Sequence, residues 1–338
     1  MTKQRLLIIG LGSIGERHLR CALRTERVEV LACELNDALR QTVAARYGVG
    51  EAYGDFETAL AAHPTAAVIC VPANLHVPMA TRLAKAGVHV LIEKPLGISL
   101  DGVDELQHAV AQQSIVAAVA YVHRANPNLV AARQAIQSGR FGRPVQLVAV
   151  AGQNFPFYRP AYRDTYYRDR AMGGGAIQDA LTHLINAGEW LIGPVDRLLA
   201  DAAHQLVPGV DVEDTVHVIA RQQGVPACYA LNQHQAPNEL TITVACENGT
   251  VRYELHKRRW RWMTEPGNVW QDVPGPPLER DDLFLSQLHS FFDAIEHGQS
   301  PLCTLGEGAQ SLRVNLAILQ SLKDARWSTV SSLDSSST

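Results

Sequence analysis

A lysine in the first half of the chain is well placed for acid–base chemistry. Lys94 stands in the sequence Glu93-Lys94-Pro95, directly after the apolar run 88–92, which is typical of a buried strand. Open parallel sheets bind ligands at the carboxyl ends of their strands, so this amine is expected in a ligand site. The alternative is a surface ion pair between Lys94 and Glu93. We favour the ligand site because Pro95 restricts the turn after the strand.

An aspartate and a histidine in the second half form another candidate pair. Asp179 and His183 follow the three glycines 173–175 and lie four residues apart in a predicted helix, residues 176–191, so they share one face. Histidine titrates near neutral pH and is suited to accept a hydroxyl proton while hydride leaves the carbon. The alternative is a buried, hydrogen-bonded histidine on an apolar helix. The glycines favour a ligand site, because they allow close approach of the backbone.

A glycine-rich loop near the N-terminus predicts binding of a dinucleotide. Residues 5–9 form an apolar run, and the loop 10–15 joins this run to a helical pattern over residues 13–24. The first glycine permits a tight turn, the second lets the backbone approach a pyrophosphate, and the third lets the helix pack closely. The helix N-terminus then offers amide groups to the phosphates. The predicted cofactor contacts in this loop are Gly10, Gly12, Ser13, Ile14 and Gly15.

An acidic residue follows the second predicted strand. Glu34 comes directly after residues 28–33, where this fold presents a carboxylate to the adenine ribose. A carboxylate accepts hydrogen bonds from both ribose hydroxyls and repels a 2′-phosphate. Glu34 therefore predicts NAD as the cofactor rather than NADP, and a solvent-facing glutamate is the alternative.

Strands and helices alternate through the first 123 residues. Strand patterns cover residues 5–9, 28–33, 66–71, 88–92 and 115–122. Helical patterns lie between them, at residues 13–24, 37–47, 56–62, 76–86 and 100–112. This alternation predicts a doubly wound parallel sheet of the Rossmann type, an α/β domain that we assign to residues 1–123.

The pattern changes after residue 124. Helices are predicted at residues 127–138, 176–191, 282–298 and 306–325. Strands are predicted at residues 145–153, 198–206, 215–222, 227–234, 240–247 and 250–255, the last two joined by a hairpin turn at Asn248-Gly249. This indicates an α+β domain over residues 124–327, with a mostly antiparallel sheet covered by helices on one face. The Ser-rich tail, residues 328–338, is expected to be disordered.

Composition excludes several classes of function. A chain of 338 residues predicts two domains. A net charge of -4 without a long basic run disfavours a nucleic-acid binder. No apolar run is long enough for a membrane span, and the N-terminus does not resemble a signal peptide. Six scattered cysteines without a Cys-x-x-Cys motif predict a reduced, cytoplasmic protein without a metal site.

Four segments together resemble the Gfo/Idh/MocA oxidoreductases, a family that includes glucose-fructose oxidoreductase and inositol dehydrogenase. They are the glycine loop and residues 71–76, 86–95 and 173–183, in an order and spacing that match over nearly the whole chain. The resemblance implies a nicotinamide cofactor and a reaction centre with Lys94, Asp179 and His183. It also implies further cofactor contacts, namely Val71, Pro72, Asn74, His76, Glu93 and Lys94.

The reaction implied by this resemblance is hydride transfer between nicotinamide and a hydroxyl-bearing carbon of a sugar, sugar derivative or cyclitol. His183 or Lys94 takes the hydroxyl proton, and Asp179 orients and polarises the base. Two other functions stay open: an NAD-dependent enzyme that cleaves glycosides through transient oxidation, and a non-catalytic NAD-binding regulator. A regulator would usually have lost the lysine or the histidine, both of which are present here.

A loop rich in tyrosine and arginine precedes the three glycines. Tyr158 and Arg163 lie in residues 157–170 and suit sugar hydroxyls or carboxylates, which predicts a substrate-binding lid. A solvated or subunit-contacting loop is the alternative. Further candidate substrate contacts are Arg124 and His234, beside Lys94, Asp179 and His183. The resemblance also makes a homodimer or homotetramer plausible, assembled through the sheet of the second domain.

Overall fold

A computed structural model describes residues 4–330 of the chain. The described residues divide into two compact units. The first contains residues 4–125 and 278–309, and the second contains residues 126–277 and 310–330.

Fifteen strands and ten α-helices are present in the described residues. The strands are β1 (Gln4–Ile9), β2 (Val28–Cys33), β3 (Glu51–Tyr53), β4 (Ala66–Ile69), β5 (His89–Ile92), β6 (Ala117–Val119), β7 (Pro144–Gly152), β8 (Val195–Ala203), β9 (Thr215–Gln222), β10 (Val225–Asn232), β11 (Glu239–Cys246), β12 (Gly249–Glu254), β13 (Arg259–Met263), β14 (Gln271–Pro274) and β15 (Ser328–Thr329). The helices are α1 (Ser13–Arg24), α2 (Asp37–Tyr47), α3 (Phe56–Ala61), α4 (His76–Lys85), α5 (Val103–Gln113), α6 (Pro127–Gln137), α7 (Phe155–Tyr158), α8 (Thr182–Ile192), α9 (Asp282–His297) and α10 (Leu305–Asp324).

The first unit is built on a six-stranded parallel sheet in the order β3-β2-β1-β4-β5-β6, which confirms the predicted doubly wound fold. Its central strand β1 is buried over Leu6–Ile9, as expected for a parallel strand covered on both faces. The strand order reverses between β1 and β4, and this reversal opens the crevice where such folds bind ligands. The glycine loop follows β1, and residues 71–76 follow β4.

The first unit also contains α9, which returns from far along the chain. Leu288, Phe291 and Phe292 of α9 are buried in the same core as Leu19 and Ala22 of α1. The predicted domain boundary between residues 123 and 124 assigns this helix to the second domain. An amphipathic pattern shows that a helix has a buried face, but it does not show which sheet that face covers.

The second unit is built on a nine-stranded sheet in the order β14-β13-β12-β11-β7-β10-β9-β8-β15. Among the described strands of this sheet, only β7 and β10 pair in parallel, so the sheet is mostly antiparallel, as predicted. In β9, Val216 and Val218 are buried against the helices, whereas the side chain of Ile219 is 48% exposed. Helices α6, α8 and α10 pack against the inner face of the sheet. Within the described residues, the outer face is open to solvent.

Two local expectations differ from the structure. Ser328 and Thr329, predicted to be disordered, form β15 and pair with Leu198 and Arg197 of β8. Polar composition alone did not reveal that an open sheet edge lies within reach of this segment. Residues 331–338 lie outside the described part of the chain.

Within residues 4–330, no helix is long and apolar enough to cross a membrane. No group of three or more His, Cys, Asp or Glu side chains in this range is arranged to hold a metal ion.

Candidate active site

The glycine loop of the first unit needs two of its glycines for its own packing. Gly10 has a φ of +85°, and a Cβ atom there would lie 2.8 Å from the carbonyl oxygen of Cys70. A Cβ atom on Gly15 would overlap the carbonyl oxygen of Gly10. Both positions therefore require glycine even before a ligand is considered.

Gly12 is different, because the protein's own packing does not require a glycine there. Its φ of -59° suits any residue, and a Cβ atom would meet no protein atom within 4 Å. The space beside Gly12 lies at the N-terminus of α1, where Ser13 and Ile14 begin the helix. Open space before a helix N-terminus is what a dinucleotide pyrophosphate needs, so the loop fits the predicted cofactor.

Glu34 is held at the end of β2 by backbone amides. Its Oε2 accepts a 2.8 Å hydrogen bond from the amide of Leu11, and its Oε1 accepts a 2.9 Å bond from the amide of Asn36. The carboxylate is thereby tied to the glycine loop. Because two carboxylate oxygens offer about four acceptor sites, these two bonds leave capacity for ribose hydroxyls.

The end of β4 is joined to the end of β5 by a buried histidine. The short turn Ala73–Leu75, which contains Asn74, follows Pro72 and leads into His76 at the start of α4. One ring nitrogen of His76 lies 2.8 Å from the carbonyl oxygen of Val71 and the other lies 2.8 Å from that of Pro95. His76 thus fixes the two loops at the carboxyl edge of the sheet, and its contact with a cofactor stays a prediction.

Lys94 is carried on a segment that a buried histidine–carboxylate hydrogen bond anchors. Glu93 is buried, and its Oε1 lies 2.7 Å from Nε2 of His18 on α1. Its Oε2 accepts a 3.1 Å bond from the backbone amide of Lys94. Burial opposes the charge of Glu93, but His18 and Lys94 outweigh it and hold the pKa of Glu93 below its ordinary value. The alternative role of Lys94, a surface pair with Glu93, does not suit a carboxylate that faces inward.

His123 lies close enough to Lys94 to be affected by its charge, and it was not among the predicted residues. It occupies the short turn Val122–Ala125 after β6. Burial, and then the positive charge of Lys94, lowers the pKa of His123 to about 4, so the imidazole is neutral near pH 7. Its place at the end of a parallel strand was the available sequence signal.

Arg124 has a structural role within the first unit. Its side chain is only 2% exposed, and Nη1 donates a 3.0 Å bond to the carbonyl oxygen of Leu302 and a 2.5 Å bond to Glu307. The side chain is therefore directed into the interior, and a substrate contact by Arg124 stays a prediction.

In the second unit, two of the three glycines are required by close contacts. A Cβ atom on Gly174 would overlap the carbonyl oxygen of Tyr167, and one on Gly175, whose φ is +89°, would lie 2.6 Å from Oε1 of Glu213. The same Glu213 oxygen accepts a 3.0 Å bond from the amide of Ile177. The glycines thus let a loop and a buried carboxylate pack against the first turn of the helix.

Asp179 and His183 are placed on a helix that begins with an unusual turn. Residues Ile177–Leu181 form a π-helical turn, which leads directly into α8 and was predicted as ordinary α-helix. Most residues around them are buried, whereas Asp179 and His183 are partly exposed. π-Helical turns occur frequently at functional sites. The hydroxyl of Tyr166 donates a 2.7 Å hydrogen bond to Oδ1 of Asp179.

The tyrosine-rich loop has a small hydrophobic core of its own, which includes Phe155, Tyr162 and Tyr167. The two predicted substrate contacts in this loop, Tyr158 and Arg163, have different surroundings. Tyr158 is exposed and packs edge-on against Phe157. In contrast, Nε of Arg163 donates a 3.0 Å bond to the carbonyl oxygen of Pro208, and its guanidinium covers the ring of Tyr162.

His234, a further predicted substrate contact in this unit, is half-buried. Its Nε2 lies 3.0 Å from Oγ1 of Thr215. Substrate contacts by Tyr158, Arg163 and His234 stay predictions.

Comparison with known proteins agrees with this arrangement. The profile of the oxidoreductase family with an NAD-binding Rossmann fold matches residues 4–121, and that of the GFO/IDH/MocA C-terminal domain matches residues 129–252. The chain belongs to the GFO/IDH/MocA oxidoreductase family. The predicted membership is therefore confirmed, and the first unit is an NAD-binding Rossmann domain.

Relatives of this GFO/IDH/MocA protein match it over most of their length. Inositol 2-dehydrogenase of Rhizobium meliloti (strain 1021) is 24% identical, covering 95% of this chain and 98% of the relative. D-xylose 1-dehydrogenase (NADP(+)) 2 of Haloferax volcanii is 29% identical, covering 93% and 96%. A solved levoglucosan dehydrogenase, in complex with NADH and levoglucosan, has the same fold with a TM-score of 0.89. It is 21% identical and is matched over 98% of this chain and 100% of that chain.

Proposed function

We propose that this protein is an NAD-dependent dehydrogenase that oxidises or forms a CH–OH group of a sugar, sugar derivative or cyclitol. The observation that carries the proposal is Lys94 at the carboxyl end of β5 in an NAD-binding domain, on a segment anchored by the Glu93–His18 pair. The names of the relatives support this substrate class, because they include dehydrogenases of inositol, xylose and levoglucosan.

The chemistry divides between the cofactor and the side chains. Bound nicotinamide supplies the hydride acceptor or donor. His183 or Lys94 takes the proton from the substrate hydroxyl in the oxidising direction and returns it in the reducing direction. Asp179 orients the base and stabilises the positive charge that it gains. A neutral His123 near Lys94 adds no second positive charge to the surroundings of the amine.

We propose a preference for NAD over NADP, and Glu34 supports it. Its carboxylate is fixed by the amides of Leu11 and Asn36 and would repel a 2′-phosphate. The xylose dehydrogenase relative is named for NADP, so the family contains both preferences. Michaelis constants for the two cofactors test the proposal, and a lower value for NADP would contradict it.

Turnover assays on variants test the catalytic assignment. A screen for NADH formation over sugars, sugar acids and cyclitols first identifies a substrate. Lys94→Met and His183→Ala are each expected to abolish turnover while NAD binding, measured by calorimetry, is retained. Lys85→Met and His297→Ala, which alter exposed side chains, are matched controls.

Normal turnover by Lys94→Met or by His183→Ala would contradict the assignment of that residue. NAD that stays bound through gel filtration, together with glycoside cleavage without net NADH formation, would favour the glycoside-cleaving alternative instead.

We also propose that the protein forms homo-oligomers through the open face of its nine-stranded sheet. Paired positions on neighbouring strands bring Leu199, Ile219, Cys228 and Val148 into one apolar row across this face. Val150, on the same face of β7, is 46% exposed. A flat apolar surface can pair with a second copy of itself about a two-fold axis.

We also propose that the protein is located in the cytoplasm, where its six free thiols would stay reduced.

A further inference from the structure

We propose that Tyr166 is a positioning residue for the carboxylate of Asp179, an inference that rests on the role given to Asp179 in the proposed function. The 2.7 Å bond from the Tyr166 hydroxyl to Oδ1 of Asp179 joins two elements, the short turn Tyr166–Arg168 and the π-helical turn Ile177–Leu181. The bond therefore depends on how the loop is fixed against the helix.

The loop is anchored by the neighbouring residue, Tyr167. Its buried ring packs 4.4 Å from the ring of Phe155 and also contacts the ring of Tyr162, and its hydroxyl donates a hydrogen bond to Gln233. Tyr166, in contrast, is 38% exposed. Tyr167 therefore supplies the packing of this turn, and the hydroxyl of Tyr166 is available for a different task.

Gly174 sets the distance between the loop and the helix. A Cβ atom on Gly174 would overlap the carbonyl oxygen of Tyr167 and would lie 2.6 Å from that of Tyr166. A larger residue would push the backbone of this turn away. Glycine at position 174 is thus what permits the hydroxyl of Tyr166 to reach Asp179.

The helix side of the contact is fixed by Glu213. Its carbonyl oxygen accepts a 3.0 Å bond from the amide of Ala176, and its carboxylate accepts the amide of Ile177 and pairs with Arg170. These contacts hold the backbone that carries Asp179. These backbone contacts do not by themselves fix the rotation of the Asp179 carboxylate, because the last torsion of an aspartate has a broad energy minimum.

The hydroxyl of Tyr166 restricts that rotation. A carboxylate that accepts a directional bond at Oδ1 has a preferred plane, and a preorganised group does not have to reorient during the reaction. Asp179 is partly exposed, so without this bond water would compete for Oδ1. The arrangement predicts an effect on the rate of the chemical step rather than on the stability of the fold.

The test is a double-mutant cycle in the full-length protein, with the substrate identified by the NADH screen. Tyr166→Phe is expected to lower kcat about ten-fold with little change in KM, as for loss of one hydrogen bond to a charged group. Asp179→Asn should lower kcat further, and adding Tyr166→Phe to it should have no additional effect. Tyr47→Phe is the matched control, because it removes a 2.8 Å tyrosine–carboxylate bond to Glu16 in the other unit.

The outcomes separate this inference from the proposed function. Full activity of Tyr166→Phe beside an impaired Asp179→Asn would overturn the inference and leave the proposed role of Asp179 intact. Independent, multiplicative effects of the two changes would also overturn it, because Tyr166 would then act without Asp179. Full activity of Asp179→Asn would instead contradict the proposed function. Equal melting temperatures of Tyr166→Phe and Tyr47→Phe are expected.

Discussion

At the scale of single residues, the pair between His18 and Glu93 connects α1 to the segment that carries Lys94. The side chain of His18 is fully buried and that of Glu93 is 9% exposed, so water cannot take the place of either partner. A buried carboxylate without a partner is costly, so the pair matters chiefly because breaking it leaves a charge in the interior. His18 therefore supports the position of Lys94 without itself being expected to contact substrate.

Replacing His18 by leucine is expected to lower the free energy of unfolding by about 3 kcal/mol, because Glu93 stays buried without its partner. Urea denaturation measures the loss. The double variant His18→Leu/Glu93→Gln should recover part of it, since a neutral amide is cheaper to bury than a carboxylate. His108→Leu, at an exposed histidine, is the control, and equal stability of His18→Leu and His108→Leu would refute the expectation.

At the scale of elements, the first turn of α1 serves both folding and cofactor binding, and different glycines carry the two tasks. Gly15 is required because its Cβ atom would overlap the backbone of Gly10. Gly12 has room for a side chain in the protein alone. The two tasks are therefore separable by substitution.

Gly12→Ala is expected to melt at the same temperature as the wild-type protein without cofactor, because its added methyl group meets no protein atom. The same methyl group should weaken NAD binding by at least about ten-fold, or 1.4 kcal/mol, since it occupies the space of the pyrophosphate. Gly15→Ala should instead lower the melting temperature of the cofactor-free protein. Thermal melting with and without NAD measures both effects, and unchanged NAD affinity of Gly12→Ala would contradict this division.

At the scale of the whole molecule, the nine-stranded sheet leaves one broad face open. Its inner face is covered by α6, α8 and α10, whereas Ile219 and Val150 on the outer face are each nearly half-exposed. An apolar sheet face of this kind is an unfavourable surface for an isolated chain and a suitable one for a second copy.

Ile219→Arg is expected to reduce the mass of the protein in solution, measured by light scattering after gel filtration, because a charge would be buried in the proposed contact. Val269→Arg is the control, since Val269 is exposed but lies outside the strands of the sheet. An unchanged oligomer in Ile219→Arg, or a monomeric wild-type protein, would rule out this face as the contact.

The sequence by itself determined the features that depend on local backbone geometry and on periodic burial. The glycine loop, Glu34 after the second strand and the alternation of strands with helices predicted the NAD-binding fold correctly. These signals are local, because a tight turn, a helix N-terminus and a buried strand each restrict a few consecutive residues. Lys94, Asp179 and His183 were likewise located by short motifs, and their catalytic roles stay predictions.

Only the tertiary structure decided which distant residues meet. His18 and Glu93 are 75 positions apart, and α9 lies in the first core although its residues come late in the chain. The bond between Tyr166 and Asp179 depends on a loop folded back over Gly174. Such contacts depend on how whole elements pack, and residue patterns along the chain carry no direct record of that packing.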